Sequence, residues 1–379
     1  MMTPIQKTSD QAFIVNGKTT GSLRHNLGFD GATHRAEQER QQAKSLWLNS
    51  LDLLESADGS ELTRLAHFLN HLASVYEERG DYAKTERLYQ RLNRLVERTG
   101  IDPELESLRV VVLRRLGSLY QAQGRHDEAE SVLRRALNSA RTIFGDEHLE
   151  TAEVFYHLAL LKQEREQFDK AAKYYWRALG IFEQTLSAGV LRVADLYHDL
   201  SRLECKRGTP AAGEPMARRA LQIRTQALGN AHLSVAAEMI SLAEILATEA
   251  NCQQPCEEKR PEKREDAKCN EAERLYRQAI GIIEGNHAHS GSRQYEVAAV
   301  LIKLAAIYAA RNNAGQAEQC YLRALAIKEK LLGVENLEVA ALRECLAALY
   351  ARQLRHDEAS TLSHSARTIF DKATGALTA

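Results

Sequence analysis

The chain has 379 residues, with 50 Lys+Arg against 51 Asp+Glu, only 6 prolines and 6% aromatics. The net charge of −1 disfavours a dedicated nucleic-acid binder, whose domain would be clearly basic. Scarce proline and aromatics beside abundant Ala, Leu, Glu and Arg favour an all-α fold, and 44% apolar residues suffice for a buried core.

Residues 1–33 carry no sustained period and are expected to form a flexible segment. Their only apolar cluster, Ala12-Phe13-Ile14-Val15, is shorter than the roughly 7–15-residue apolar stretch of a secretory signal. No run in the chain approaches the ~18 apolar residues of a membrane span. Six cysteines, Cys205, Cys252, Cys256, Cys269, Cys320 and Cys345, are sparse for this length and suggest no disulfide framework. A reducing, cytoplasmic location is the expectation. Residues 34–60 are expected to hold one capping helix, in which Ala43, Trp47 and Ser50 keep the spacing of the array that follows.

From residue 61 to 379 the chain repeats itself. The anchor Leu72 recurs as Leu116, Leu158, Leu200, Leu242, Leu304 and Leu346, at spacings of 44, 42, 42, 42, 62 and 42. A small residue follows each anchor: Ala73, Gly117, Ala159, Ser201, Ala243, Ala305 or Ala347. A second set of mostly small residues, Leu92, Ala136, Ala178, Ala220, Ala279, Ala324 and Ala366, marks a second helix in each unit. Two helices approach closely only where side chains are small, so these positions read as the contact line of helical hairpins. Tyr76, Tyr120, Tyr308 and Tyr350, with Tyr89, Leu133, Tyr175, Tyr276 and Tyr321, read as the packing beside it, not as a cofactor box.

The 62-residue gap locates an insertion in the fifth repeat. Its sequence, from about 250 to 268, balances acids and bases and holds Pro255 and Pro261, so a solvated loop is expected. Cys252, Cys256 and Cys269, with His287 and His289, lack the close ligand pairs of a structural zinc site, so no metal is expected; incidental loop cysteines are the favoured reading and a redox-sensitive thiol pair the alternative.

The chain resembles the tetratricopeptide repeat family, in the 42-residue form of kinesin light chains. The resemblance rests on Ala129-Glu130-x4-Arg135-Ala136-Leu137 and Ala317-Glu318-x4-Arg323-Ala324-Leu325. It rests also on the linkers Phe144-Gly145-Asp146-Glu147-His148, Leu228-Gly229-Asn230-Ala231-His232 and Leu332-Gly333-Val334-Glu335-Asn336. It implies a right-handed superhelical solenoid of about seven helix-turn-helix repeats, with a concave groove for protein or peptide partners. The proline that ends shorter repeats is replaced by the Gly-x-x-His linker. No heptad pattern precedes the repeats, so a kinesin subunit is not expected.

Family positions two before and two after each anchor place candidate groove residues. They are Asn70, Arg114, Tyr156, with its neighbour His157, His198, Arg202, Ile240 and Ile302. The early groove is polar and the late groove, with Ala237, Ala299, Ala306 and Ala348, is apolar. Arg114 and Arg202 are expected either to bind a carboxylate or to pair with Glu153 and Asp195. No phosphate loop, zinc helix or nucleophile turn occurs. The expected function is a non-catalytic adaptor or scaffold without cofactor, nucleic acid or membrane span. A ligand-responsive sensor and a positioning subunit of an enzyme complex are the alternatives.

Overall fold

The computed structural model describes residues 60–99, 103–185, 189–250, 263–286 and 291–375. The expected flexible segment, the expected capping helix up to residue 59, Cys252, Cys256, His287 and His289 lie outside them. The chain divides into two units, Met1–Leu65 and Ala66–Ala379. The packing below concerns the second.

Among the described residues the structure is helical and contains 14 helices. The first repeat pairs α1 (Ser60–Glu78) with α2 (Tyr82–Thr99), and the second α3 (Pro103–Ala122) with α4 (His126–Phe144). The third pairs α5 (Leu149–Glu164) with α6 (Phe168–Gln184), and the fourth α7 (Val190–Lys206) with α8 (Pro210–Leu228). Then come α9 (Leu233–Glu249) with α10 (Lys263–Gly285) and α11 (Gly291–Ala310) with α12 (Ala314–Leu332). The last pair is α13 (Leu337–Arg352) with α14 (His356–Gly375). From α2 onward each helix packs on the next in sequence, and α3 also touches α5. That is the contact pattern of a solenoid, in which each unit meets only its neighbours.

The contact line lies where the repeat placed it. Ala73, Ala159, Ser201, Ala243 and Ala305 are fully buried, as are Leu92, Ala136, Ala178, Ala220, Ala279, Ala324 and Ala366. The closest approaches need glycine. A Cβ on Gly117 would meet Leu133 Cγ at 2.5 Å, and one on Gly213 would meet the Ser201 carbonyl oxygen at 2.7 Å. Tyr89, Tyr175, Tyr276 and Leu133 are wholly buried, and Tyr76, Tyr120, Tyr308, Tyr321 and Tyr350 nearly so. The aromatic stripe is core.

Neighbouring repeats are tied by a recurring acid on the second helix. Arg125 donates to Glu86 at 2.8 Å and Lys162 pairs with Glu130 at 2.7 Å. Tyr308 donates to Glu273 at 3.1 Å, and Tyr350 to Glu318 at 2.8 Å. Arg135 donates to Glu97 of the preceding repeat. The Glu and Arg of the repeat motif thus face their neighbours, where partly exposed pairs each contribute little and set register more than stability.

The linkers show why proline is dispensable. Gly145, Gly229 and Gly333 take φ of 88°, 83° and 86°, a region closed to most side chains. Three residues on, His148 and His232 cap the next helix, accepting through Nδ1 from the backbone N–H of Glu150 and Ser234 at 3.2 and 3.1 Å. Asn336 does the same for Glu338 at 2.8 Å. A left-handed glycine turns the chain and a side-chain cap starts the helix.

The insertion ends earlier than expected. α10 already begins at Lys263, so residues 263–268 are helical and not loop. Pro261 is the last residue that bars a helix there, and Lys268 then joins Glu214 at 2.9 Å and also Glu249. Cys269 is buried on α10 and disulfide-bonded, contrary to the expectation of reduced cysteines.

Candidate binding groove

The candidate groove residues all fall on the first helices of their repeats. Asn70, Arg114, Tyr156, His198, Ile240 and Ile302 occupy one register on α1, α3, α5, α7, α9 and α11. All are half-buried. His157 is half-buried beside Tyr156, their rings edge to face at 5.5 Å.

The structure joins the polar candidates across repeats. Arg114 donates through Nη1 to His157 Nε2 at 3.4 Å and lies 4.0 Å from Glu150. Tyr156 donates its hydroxyl to Asp199 at 2.9 Å. His198 Nδ1 sits 2.9 Å from the carboxylate of Glu238. Glu238 has no exposure and is also held by Arg224, which reaches Asp195 with its other nitrogen. Arg192 donates to Glu153 at 3.0 and 2.5 Å and covers the Tyr156 ring at 3.9 Å.

These contacts correct two expectations. The partners of Glu153 and Asp195 are Arg192 and Arg224, not Arg114 and Arg202. Arg114 is bound to its own neighbours and its side chain is only 19% exposed, so it does not offer a free guanidinium. Arg202 behaves differently: it is exposed and stands in no ion pair among the described residues, its charge acting on the carboxyl of Asp199. Sequence reasoning missed Arg192, Arg224 and Glu238. The signal available was Arg224, a charge four residues after Ala220 on the buried stripe of α8, which demands a buried partner.

Burial sets the protonation of this cluster. It pushes the His157 imidazole well below its usual range, with Arg114 and Arg192 adding repulsion. It lowers His198 in the same way, and it raises the carboxyl of Asp199. A neutral His157 that accepts at Nε2 carries its proton on Nδ1. Among the described residues no three His, Cys, Asp or Glu side chains are placed to hold a metal ion.

Beyond α7 the inner face changes. Ile240, Ile302, Ala306 and Ala309 are half-buried, and Ala237 and Ala348 are exposed. One charged pair interrupts this stretch, with Lys303 of α11 donating to Glu244 of α9.

Paired helices in a repeating array, each packed on the next, define an all-α repeat protein. The tetratricopeptide repeat profile matches residues 108–184 and 296–375, and a second profile of that description matches 193–234, together more than half of the chain. The chain belongs to the tetratricopeptide repeat family, and its 42-residue period is that of the kinesin-light-chain-like form. Such repeats are generally protein–protein interaction modules. A TPR repeat-containing protein of Dictyostelium discoideum is 28% identical over 137 residues, which are 36% of this chain and 8% of that protein. The chain thus matches only a small part of that relative. Among solved structures, BtubC (BKLC) from P. vanneervenii is similar with a TM-score of 0.53 and 24% identity, over 66% of this chain and 93% of that one. A putative kinesin light chain from Podosopora anserina with nearly identical TPR-like repeats gives 0.48 and 21%, over 60% and 98%. At 24% identity the likeness to BtubC is one of fold. Among the described residues no helix is long and apolar enough to cross a membrane.

Proposed function

We propose that the chain is a non-catalytic adaptor that holds a peptide or partner helix in its concave groove. The observation that carries this reading is a contrast along the inner face. Most of its charges are spent on one another, yet Arg202 stands exposed, in no ion pair among the described residues, one repeat before the half-buried Ile240. A partner carboxylate on Arg202 and apolar side chains against Ile240 and Ile302 would complete that surface. Asn70, Arg114, Tyr156, His157 and His198 then form the braced wall upstream. Residues 61–379 make up the repeat array in this reading, preceded by a capping helix at 34–60 and a flexible segment at 1–33.

Affinity capture with the full chain, compared with Arg202→Glu and Ala306→Glu, tests the proposal by quantitative mass spectrometry. A set of proteins lost from both variants, at unchanged thermal unfolding, is the expected result. Identical captures from all three would overturn it.

A sensor reading has one specific observation in its favour. The buried Glu238–Arg224–Asp195 tie joins repeats four and five beside Arg202, so a ligand there would bear on the junction. Small-angle scattering with and without a bound peptide separates the two, since an adaptor keeps its dimensions. A cytoplasmic location accords with the free thiols of Cys205, Cys320 and Cys345, while the disulfide at Cys269 stands against it.

A further inference from the structure

We propose that the cleft between α10, α11 and α12 binds a small amphipathic carboxylate, with its apolar body inside and its carboxylate held by Arg277 and Arg323. None of the candidate groove residues lines this cleft, so the site is separate from the one proposed above.

The cleft traces to one side chain. Four residues before the contact-line residue of each second helix, the repeats carry Leu88, Val132, Tyr174, Met216, Leu275 and Leu362, but repeat six carries Cys320. Cysteine is the smallest of these, and it stands half-buried against the core. Where the other repeats place a larger apolar group, a cleft of about 270 Å³ opens beside Cys320.

Its lining sets the body of the ligand. Ile280, Leu301 and Leu304 are nearly buried and have no polar side-chain atom. Water gains few partners on such a surface. An apolar cavity of about 150 Å³ holds benzene, so about 270 Å³ has room for a ring with a short chain, or for a chain of about eight carbons.

Charge sets the other end. The ionic side chains that line the cleft are Arg277 and Arg323, both about half exposed, and no acid joins them. Glu273 is divided among its neighbours: Arg277 pairs with it at 2.6 Å, Arg311 donates to it at 3.3 Å and Tyr308 at 3.1 Å. One carboxylate thus serves two guanidiniums, and Arg323 donates one nitrogen to Glu284. A guanidinium has five N–H donors, so Arg277 and Arg323 keep donors for a carboxylate. Burial pushes the Cys320 thiol up, so it stays uncharged at neutral pH and does not repel an anion.

Titration calorimetry of the full chain with 3-phenylpropionate and octanoate tests the proposal. The comparison ligands are 3-phenylpropanol, acetate and N-acetylphenylalanine. Both acids are expected to bind one site with Kd below about 1 mM, the alcohol about ten-fold more weakly, and acetate not at all. At ten times its Kd, 3-phenylpropionate should slow alkylation of Cys320 by N-ethylmaleimide about ten-fold. Peptide mass spectrometry reads this beside the exposed Cys345, whose rate should not change. Cys320→Leu restores the residue that Leu88, Leu275 and Leu362 supply elsewhere, so it should keep thermal stability and abolish binding of both acids. Arg277→Gln and Arg323→Gln should each weaken the acids about ten-fold and leave the alcohol as it was. Acids that bind Cys320→Leu as they bind the unaltered chain, or that leave Cys320 alkylation unchanged, overturn the site. Equal affinity for acid and alcohol overturns the anionic end. Tighter binding of N-acetylphenylalanine than of 3-phenylpropionate makes the C-terminus of a chain the occupant and overturns a free acid. Absence of binding by either acid overturns the proposal and leaves the adaptor reading standing.

Discussion

Glu238 is the sharpest place to test the physical account of the groove. Its side chain has no exposure, and its carboxylate is shared by Arg224 and His198. Replacing it with alanine removes the carboxylate that His198 Nδ1 faces and leaves Arg224, 7% exposed, with Asp195 alone. Breaking a buried pair by deleting one partner costs about 3–5 kcal/mol, because the other charge stays desolvated. The upper part of that range does not apply, since Asp195 still holds one side of the guanidinium. About 3 kcal/mol is therefore expected for Glu238→Ala, read by urea unfolding. In a solenoid the loss falls on the fourth and fifth repeats, so hydrogen exchange should rise first in α7, α8 and α9. The control is Glu238→Met with Arg224→Met, which removes both charges and keeps the volume. That double variant should lose much less than Glu238→Ala. If it loses as much or more, the cost comes from packing, and the electrostatic reasoning fails.

Three further outcomes follow from local geometry. His157 and His198 have folded pKa values below the ordinary imidazole range, so the unfolded chain binds protons more readily; stability is complete above about pH 6.5 and falls as pH drops below it, by up to about 1.4 kcal/mol per pH unit for each His. His157→Asn should flatten the curve measured from pH 8 to 5.5, and an unchanged slope would remove His157 from the account. Leu354 holds φ at 62° and is 77% exposed, so Leu354→Gly relieves left-handed strain and should raise stability by about 1 kcal/mol, read as a higher urea midpoint. Gly213→Ala should cost more than Gly117→Ala in the same assay: the new methyl meets backbone at Ser201 in the first case and a movable Leu133 side chain in the second.

The repeat was legible because its signal is steric. Gly117, Ala159 and Ser201 hold their places since nothing larger fits between two helices, and a requirement of that kind recurs at a fixed period. The linkers were legible for the same reason, although the capping role of His148 and His232 emerges only from Nδ1 facing the next helix. The charge pairing was not legible. Arg114, Arg192, Arg202 and Arg224 all lie on the helices of Glu153 and Asp195 or on helices that touch them, and rotamers of long side chains decide among such partners. Sequence spacing placed Arg114 in register with Tyr156 and His198, yet it could not show that His157 and Glu150 occupy it. The start of α10 was missed because the charged run after Pro261 is equally compatible with a loop until Lys268 finds Glu214 and Glu249.

The pairing changes where recognition is to be sought. Repeats two to four are the most polar part of the groove, and polarity alone would make them the binding surface. Their groups are instead turned on one another: Arg114 on His157, Tyr156 on Asp199, Arg192 on Glu153, His198 on Glu238. A partner must displace such a contact before it gains one, and half-buried pairs resist displacement because each freed group stays desolvated. Ile240, Ile302 and Ala306 after α7 impose no such exchange, since covering them removes apolar surface from water. Arg202 lies at the boundary, exposed and without an ion pair among the described residues. Affinity should therefore reside in repeats four to seven, with the earlier network acting as a brace that fixes the angle at which α7 presents Arg202.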